Sequence, residues 1–87
     1  MSEAMVSDRR ASWSEVDAQR AELRRRALAC GLREPRLRED GSIVVHAPEP
    51  GYRATGRFAA EAAAVVGTYV HVLTDDVIAA SGVSTPL

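Results

Sequence analysis

The sequence predicts an α+β fold: a small mixed three-stranded sheet that includes one βαβ unit and has its helices mainly on one face. The first observation is residues 41–76, which follow the pattern strand, turn, amphipathic helix, strand over the length that a βαβ unit needs. The second is Asp40-Gly41, a hairpin turn that joins two predicted antiparallel strands, residues 35–39 and 42–47. The third is a long amphipathic helix near the N-terminus, which gives the sheet a layer to pack against.

The N-terminal helix is predicted over residues 13–30. Ser12 is suited to be its N-cap, and Glu15 completes a capping box because its carboxylate can accept from the Ser12 backbone N–H. Gly31 can adopt the left-handed conformation that ends a helix. One stripe of this helix is apolar and consists of Trp13, Val16, Ala21, Leu23, Ala27 and Cys30. Residues 1–11 lack such periodicity and are predicted to be a flexible tail before a single domain, residues 12–87.

A second helix and a last strand complete the predicted domain. Residues 52–66 form a helix with Phe58 on its apolar face, and Gly67 ends it. Residues 69–74 are β-branched and aromatic, as is typical of a strand, and the handedness of crossovers places this strand in the same sheet as residues 42–47. Residues 76–80 are predicted to form a short helix, with Thr74 or Asp75 as its cap.

The composition is that of an ordinary folded domain. Of the 87 residues, 46% are hydrophobic and 26% are charged, and the net charge of −1 gives no general attraction to nucleic acid or anionic membranes. Cys30 is the single cysteine, so no internal disulfide can form and a reducing compartment is expected. Because the sequence shows neither a secretory leader pattern nor an apolar run of membrane-spanning length, it predicts a cytoplasmic protein.

Several local patterns resemble one protein family when they are taken together. They are the turn Pro48-Glu49-Pro50-Gly51 after a strand, a helix that ends in Val65-Val66-Gly67, the strand and turn of residues 69–76, and the closing Pro86-Leu87. From about Ala18 to Leu87 the chain resembles the minimal nucleotidyltransferase domains of the polymerase-beta superfamily. Many of these small bacterial proteins act as antitoxins in toxin–antitoxin pairs.

The resemblance implies a lost catalytic site. Members of the family hold a triphosphate with a Gly-Ser at the head of a helix, and two magnesium ions with three carboxylates on neighbouring strands. Here Gly41-Ser42 leads directly into a strand, and the three carboxylate positions correspond to Gly41, Ile43 and His71. We therefore expect a protein without enzymatic activity, and we assign it no catalytic residue, no cofactor and no metal ligand.

A protein interface is the function expected in its place. Period-2 alternation predicts that the former catalytic face carries mainly apolar side chains, and an apolar patch on a small domain is typical of a protein-binding surface. The predicted partner-binding residues are Trp13, Arg24, Ile43, Val45, Arg53, Arg57, Tyr69, His71 and Leu73. The resemblance implies that the partner is a cognate toxin, either a nuclease or a phosphotransferase, and a second copy of the chain is left open.

Two other functions are left open. An active nucleotidyltransferase would need other carboxylates, and the acids near the strand ends are Glu39, Asp40, Glu49, Glu61, Asp75 and Asp76. A DNA-binding autoregulator would use the arginines between Arg20 and Arg38. Acidic residues interleave with these arginines and stacking aromatics are absent, which favours a solvated helix face over nucleic-acid binding. His46 and His71 are predicted on opposite sheet faces without metal-ligand spacing.

Overall fold

The computed structural model of the chain describes residues 7–48, 53–77 and 82–87. In these ranges it is an α+β fold with three helices and a mixed main sheet, so the α+β class of the prediction is confirmed. The elements are β1 (Ser7–Arg10), α1 (Trp13–Ala18), α2 (Arg20–Ala29), β2 (Arg33–Arg38), β3 (Ile43–His46), α3 (Arg53–Val66), β4 (Thr68–Tyr69), β5 (Val72–Thr74) and β6 (Ser84–Pro86). None of the described helices is long and apolar enough to cross a bilayer.

The main sheet has four described strands in the order β5-β3-β2-β6. β2 and β3 are antiparallel around the turn at Asp40-Gly41, as predicted, and Leu37 lies opposite Ile43. β3 and β5 are parallel, with Ile43 opposite Val72, and α3 lies between them in the chain. β6 pairs with the other side of β2, so the prediction of three strands is wrong. This three-residue strand has no alternating apolar pattern, and its Pro86 is acceptable at an edge because the outer side needs no donor.

The predicted long N-terminal helix is two helices. α1 and α2 meet at Gln19, whose φ of −110° and ψ of 21° lie outside the helical region. α1 contacts β2 whereas α2 contacts both β2 and α3, so the break lets each helix follow its own packing surface. The predicted capping box is confirmed, because Ser12 Oγ accepts from the Glu15 N–H at 3.3 Å and Glu15 Oε1 accepts from the Ser12 N–H at 2.9 Å. Gly31 ends α2 with a φ of 84°, as predicted.

The predicted N-terminal tail is structured over its second half. Residues 1–6 lie outside the described ranges, but Ser7–Arg10 forms β1 and pairs in parallel with β4 as a separate two-stranded sheet. Ala11 is buried, and its N–H donates to the carbonyl of Tyr69 at 2.7 Å. The prediction of a tail through residue 11 is wrong here because the pairing partner is about sixty residues away, where local periodicity carries no information.

The predicted strand over residues 69–74 is divided between the two sheets. Thr68 and Tyr69 pair with β1, whereas Val72–Thr74 pairs with β3, and the buried Val70 lies between the two strands. α3 ends as predicted at Gly67, whose φ is 91°. Of the predicted helix at residues 76–80, Asp76 lies in a turn and residues 78–80 lie outside the described ranges.

The core lies between the helices and one face of the main sheet. The sheet contributes Leu37, Ile43 and Val45, whose side chains are fully buried. The helices contribute Val16, Leu23, Ala27, Phe58 and Ala62, which belong to the same cluster. The predicted apolar stripe of the N-terminal helix therefore reaches the core at Val16, Leu23 and Ala27, whereas Trp13 and Ala21 remain exposed.

Candidate protein-binding surface

The sheet face predicted to bind a partner is the face that the helices cover. Ile43 and Val45 have no exposed surface, and Ala47 packs against the same core. The prediction that Ile43 and Val45 bind a partner is therefore wrong. Strand alternation shows which side chains share a face, but it does not show which of the two faces is covered.

The opposite face of the sheet carries a mixture of polar and apolar groups. By register Val44 lies beside Leu73, and the next two positions along the same face, His46 and Asp75, form a pair with 3.1 Å between Nδ1 and Oδ2. Leu73 is half-buried, so it offers little apolar surface to a partner. His71 lies apart from His46, and its Nδ1 is 2.9 Å from the Tyr69 hydroxyl. Each histidine thus has a neighbour of its own within the fold.

The other predicted binding residues lie on separate elements. Trp13 begins α1 and is 41% exposed, and Tyr69 in β4 is 45% exposed. Arg53 and Arg57 are exposed on α3, and Arg57 pairs with Glu61 at 3.4 Å. These residues are accessible to a partner, and they remain predictions for partner binding.

A groove beside α2 brings apolar and basic side chains together. Its volume is about 510 Å³, and it is lined by Arg20, Ala21, Arg24, Arg25, Leu28 and Leu87. α2 buries Leu23 and Ala27. The residues one position further along, Arg24 and Leu28, are rotated by roughly 100° around the axis and face solvent. Leu87 closes the other side, because its N–H donates to the Pro35 carbonyl at 2.9 Å and continues the pairing of β6 with β2.

The arginines around this groove differ in whether they form ion pairs within the described part of the chain. Arg20 pairs with Asp17 at 2.8 Å and also donates to the carbonyl of Pro86. Arg25 pairs with Glu22, whose second oxygen accepts from Arg26 at 2.6 Å. Among the described residues Arg24 has no hydrogen-bond or ion-pair partner. One exposed guanidinium on the groove therefore stays available for an outside carboxylate.

Only Arg24 of the groove was among the predicted binding residues. Leu28 could have been found from the sequence, because it is a large aliphatic residue that lies off the buried stripe of the helix. It is 46% exposed in the structure. Leu87 could not have been found, since its place beside α2 depends on β6, which has no strand pattern.

A smaller cavity of about 330 Å³ lies near the end of α2 and includes Cys30 in its lining. Burial raises the pKa of the Cys30 thiol, and the nearby Glu61 carboxylate raises it further. The thiol therefore stays protonated at neutral pH and is a poor nucleophile.

Several of the acids considered for an active nucleotidyltransferase have partners within the fold. Asp40 accepts from both the hydroxyl and the N–H of Ser42 at 2.5 and 2.9 Å, and these bonds lower its pKa. Asp75 pairs with His46, and Glu61 pairs with Arg26 and Arg57. Glu49 lies outside the described ranges. Within those ranges, no group of three or more His, Cys, Asp or Glu side chains is placed to hold a metal ion.

Comparisons of the chain with protein-family models, with curated proteins and with solved structures find no match. A proposal for function therefore rests on the chain's own residues, and the groove beside α2 is the surface with the most distinctive chemistry.

Proposed function

We propose that this chain is a nucleotidyltransferase-like protein-binding module that acts in the bacterial cytoplasm as the antitoxin of a toxin–antitoxin pair, where it binds and neutralises a cognate toxin. The observation that carries the proposal is the groove beside α2, in which the exposed Leu28 lies next to Arg24, a guanidinium that pairs with none of the described residues. Arginine and large apolar residues are enriched where proteins bind one another.

The groove contributes to binding more than to folding. Leu28 lies outside the core, so its exposed part gains nothing from the folded state of this chain alone. Burying an aliphatic side chain completely is worth about 1.5–3 kcal/mol, and a partner that covers the exposed half of Leu28 gains roughly half of that. A partner would gain this energy without any rearrangement of the core.

The resemblance to nucleotidyltransferase domains supports the antitoxin function. One of the three positions that correspond to catalytic carboxylates is Ile43, which lies in the core under the helices. A carboxylate at such a position would have to be buried, which is costly for a charged group. The position is suited to packing, and this supports a binding function over magnesium-dependent catalysis.

Co-expression tests the proposal directly. We expect the product of the reading frame adjacent in the same transcript to arrest growth when it is expressed alone. We expect the full chain to restore growth and to co-purify with that product in a defined ratio. A product that is harmless alone, or that does not bind the chain, contradicts the proposal.

Two further measurements distinguish the alternative functions. Magnesium-dependent nucleotide binding by calorimetry would instead favour an active nucleotidyltransferase. Steeply salt-dependent binding to the chain's own promoter would favour a DNA-binding autoregulator.

A further inference from the structure

We propose that the groove beside α2 binds an acidic amphipathic helix of the partner protein, which inserts one apolar side chain between carboxylates that meet the arginines. This inference rests on the proposed function, because it specifies the chemistry of the partner segment. Three features of the groove support it: a basic rim, an apolar floor and the helical spacing of the lining residues.

The basic rim selects for negative charge. Arg20, Arg24 and Arg25 line the groove, whereas Asp17 and Glu22 are the carboxylates that pair with two of them. Arg24 can donate to an incoming carboxylate without losing an ion pair to any residue in the described ranges. A guanidinium can also bind a carboxylate through two parallel hydrogen bonds, which fixes the orientation of the partner.

The apolar floor selects for one large side chain. Leu28 and Leu87 supply aliphatic surface, and Ala21 is small enough to leave space above the helix. The groove volume of about 510 Å³ leaves room for a leucine or phenylalanine side chain of the partner. An acidic segment without an apolar residue would leave this surface exposed to water.

The helical spacing favours a helix over an extended segment. Arg20, Arg24 and Leu28 follow one another at intervals of four residues, so they form a ridge along one side of α2. Such ridges pack into the grooves of a second helix. Glutamates one turn before and after an apolar residue on the partner helix would then lie beside the arginines.

Other occupants fit the groove less well. A nucleic-acid backbone binds through charge and hydrogen bonds, and it would leave the exposed Leu28 without an apolar contact. A second copy of the chain would have to supply the acidic helix itself. The described helices carry acidic residues mainly in positions already paired with arginine, such as Glu15, Glu22 and Glu61.

A designed peptide tests the inference with the full chain. The probe is a fluorescein-labelled helical peptide of Ala, Leu and Glu. The matched control peptide carries glutamine at every glutamate position. Fluorescence anisotropy at about 0.05 M salt should show at least tenfold tighter binding of the acidic peptide, and about 0.5 M salt should remove most of the difference. Equal binding of the two peptides, or binding of neither, overturns the inference.

Variants of the chain locate the binding site. We expect Arg24→Glu and Leu28→Asp each to weaken acidic-peptide binding by at least about tenfold. Arg24→Glu repels the carboxylates of the peptide, and Leu28→Asp places a charge against its apolar side chain. Val83→Asp is the matched control, since Val83 is 70% exposed and lies outside the groove lining. Arg24→Glu should in turn favour a lysine version of the peptide. Unchanged binding by the groove variants overturns the inference.

Two outcomes separate this inference from the proposed function. If Arg24→Glu and Leu28→Asp still restore growth against the toxin, the antitoxin function stands and the groove is not its binding site. If sedimentation shows self-association that Leu28→Asp abolishes, the occupant is a second copy and the acidic partner helix is ruled out. Loss of rescue by both variants, with Val83→Asp still active, supports the inference. Circular dichroism melting curves confirm that the variants are folded.

Discussion

The inner face of the main sheet and the groove beside α2 carry similar aliphatic side chains and differ in what covers them. Ile43 on the inner face has no exposed surface, whereas Leu28 in the groove is 46% exposed. The first residue belongs to the buried core cluster and contributes to the stability of the domain. The second is flanked by arginines and is free to contact a partner. Coverage by other elements, more than residue type, separates the buried core positions from the positions proposed to bind a partner.

The largest expected effect is the stability difference between these two regions. Ile43→Ala leaves a cavity in the core and should lower the free energy of unfolding by about 2–5 kcal/mol. Leu28→Ala removes a similar side chain from the surface and should change it by no more than about 0.5 kcal/mol. Urea unfolding followed by circular dichroism measures both. Similar losses for the two variants would contradict the contrast between the regions.

A similar difference in stability is expected between a glycine that other residues cover and one that they do not. Gly41 and Gly31 have φ values of 89° and 84°, so alanine is strained at both. A Cβ at Gly41 would also lie 2.7 Å from the Ala11 carbonyl oxygen, whereas a Cβ at Gly31 would meet nothing within 4 Å. We expect Gly41→Ala to cost about 2–3 kcal/mol and Gly31→Ala about 1 kcal/mol in unfolding free energy. Equal losses of unfolding free energy for the two variants would show that the N-terminal segment does not pack against Gly41.

A smaller effect is expected at the start of α1. Ser12→Ala removes the side chain that accepts from the Glu15 N–H, and it should lower the free energy of unfolding by about 1 kcal/mol. Ser14→Ala is the control, because Ser14 is exposed within α1 and lies outside the capping box. Thermal unfolding of the two variants side by side measures the difference. A loss at Ser14 that matches the loss at Ser12 would argue against the cap.

The smallest expected effect is on the pH dependence of stability in acid. Hydrogen bonds from Arg9 and Ser12 lower the pKa of Glu15 to about 2. A carboxylate with a lowered pKa stabilises the fold fully above its unfolded pKa of about 4.3 and loses this contribution as the pH falls towards 2. Glu15→Gln should therefore flatten the dependence of the melting temperature on pH between about 4.5 and 2. A melting temperature of Glu15→Gln that falls with acidification as steeply as that of the unaltered chain would contradict this role of Glu15.

Local sequence alone determined the elements whose cause lies within a few residues. The capping box at Ser12 and Glu15, the hairpin at Asp40-Gly41 and the end of α3 at Gly67 are all confirmed. Each depends on side-chain hydrogen bonds or on backbone conformations that neighbouring residues fix. Arg24 was among the predicted binding residues and is exposed in the structure, and its part in binding stays a prediction.

Only the tertiary structure decided which distant segments pair and pack against each other. The pairing of β1 with β4 and of β6 with β2, and the break at Gln19, arise from contacts between residues far apart in the chain or from packing between elements. The same is true of the covered face of the sheet, which moved Ile43 and Val45 from the predicted interface into the core. The groove exists because Leu87 is placed beside α2. Alternation and periodicity describe one element at a time, and the choice of which surfaces meet is made by the whole chain.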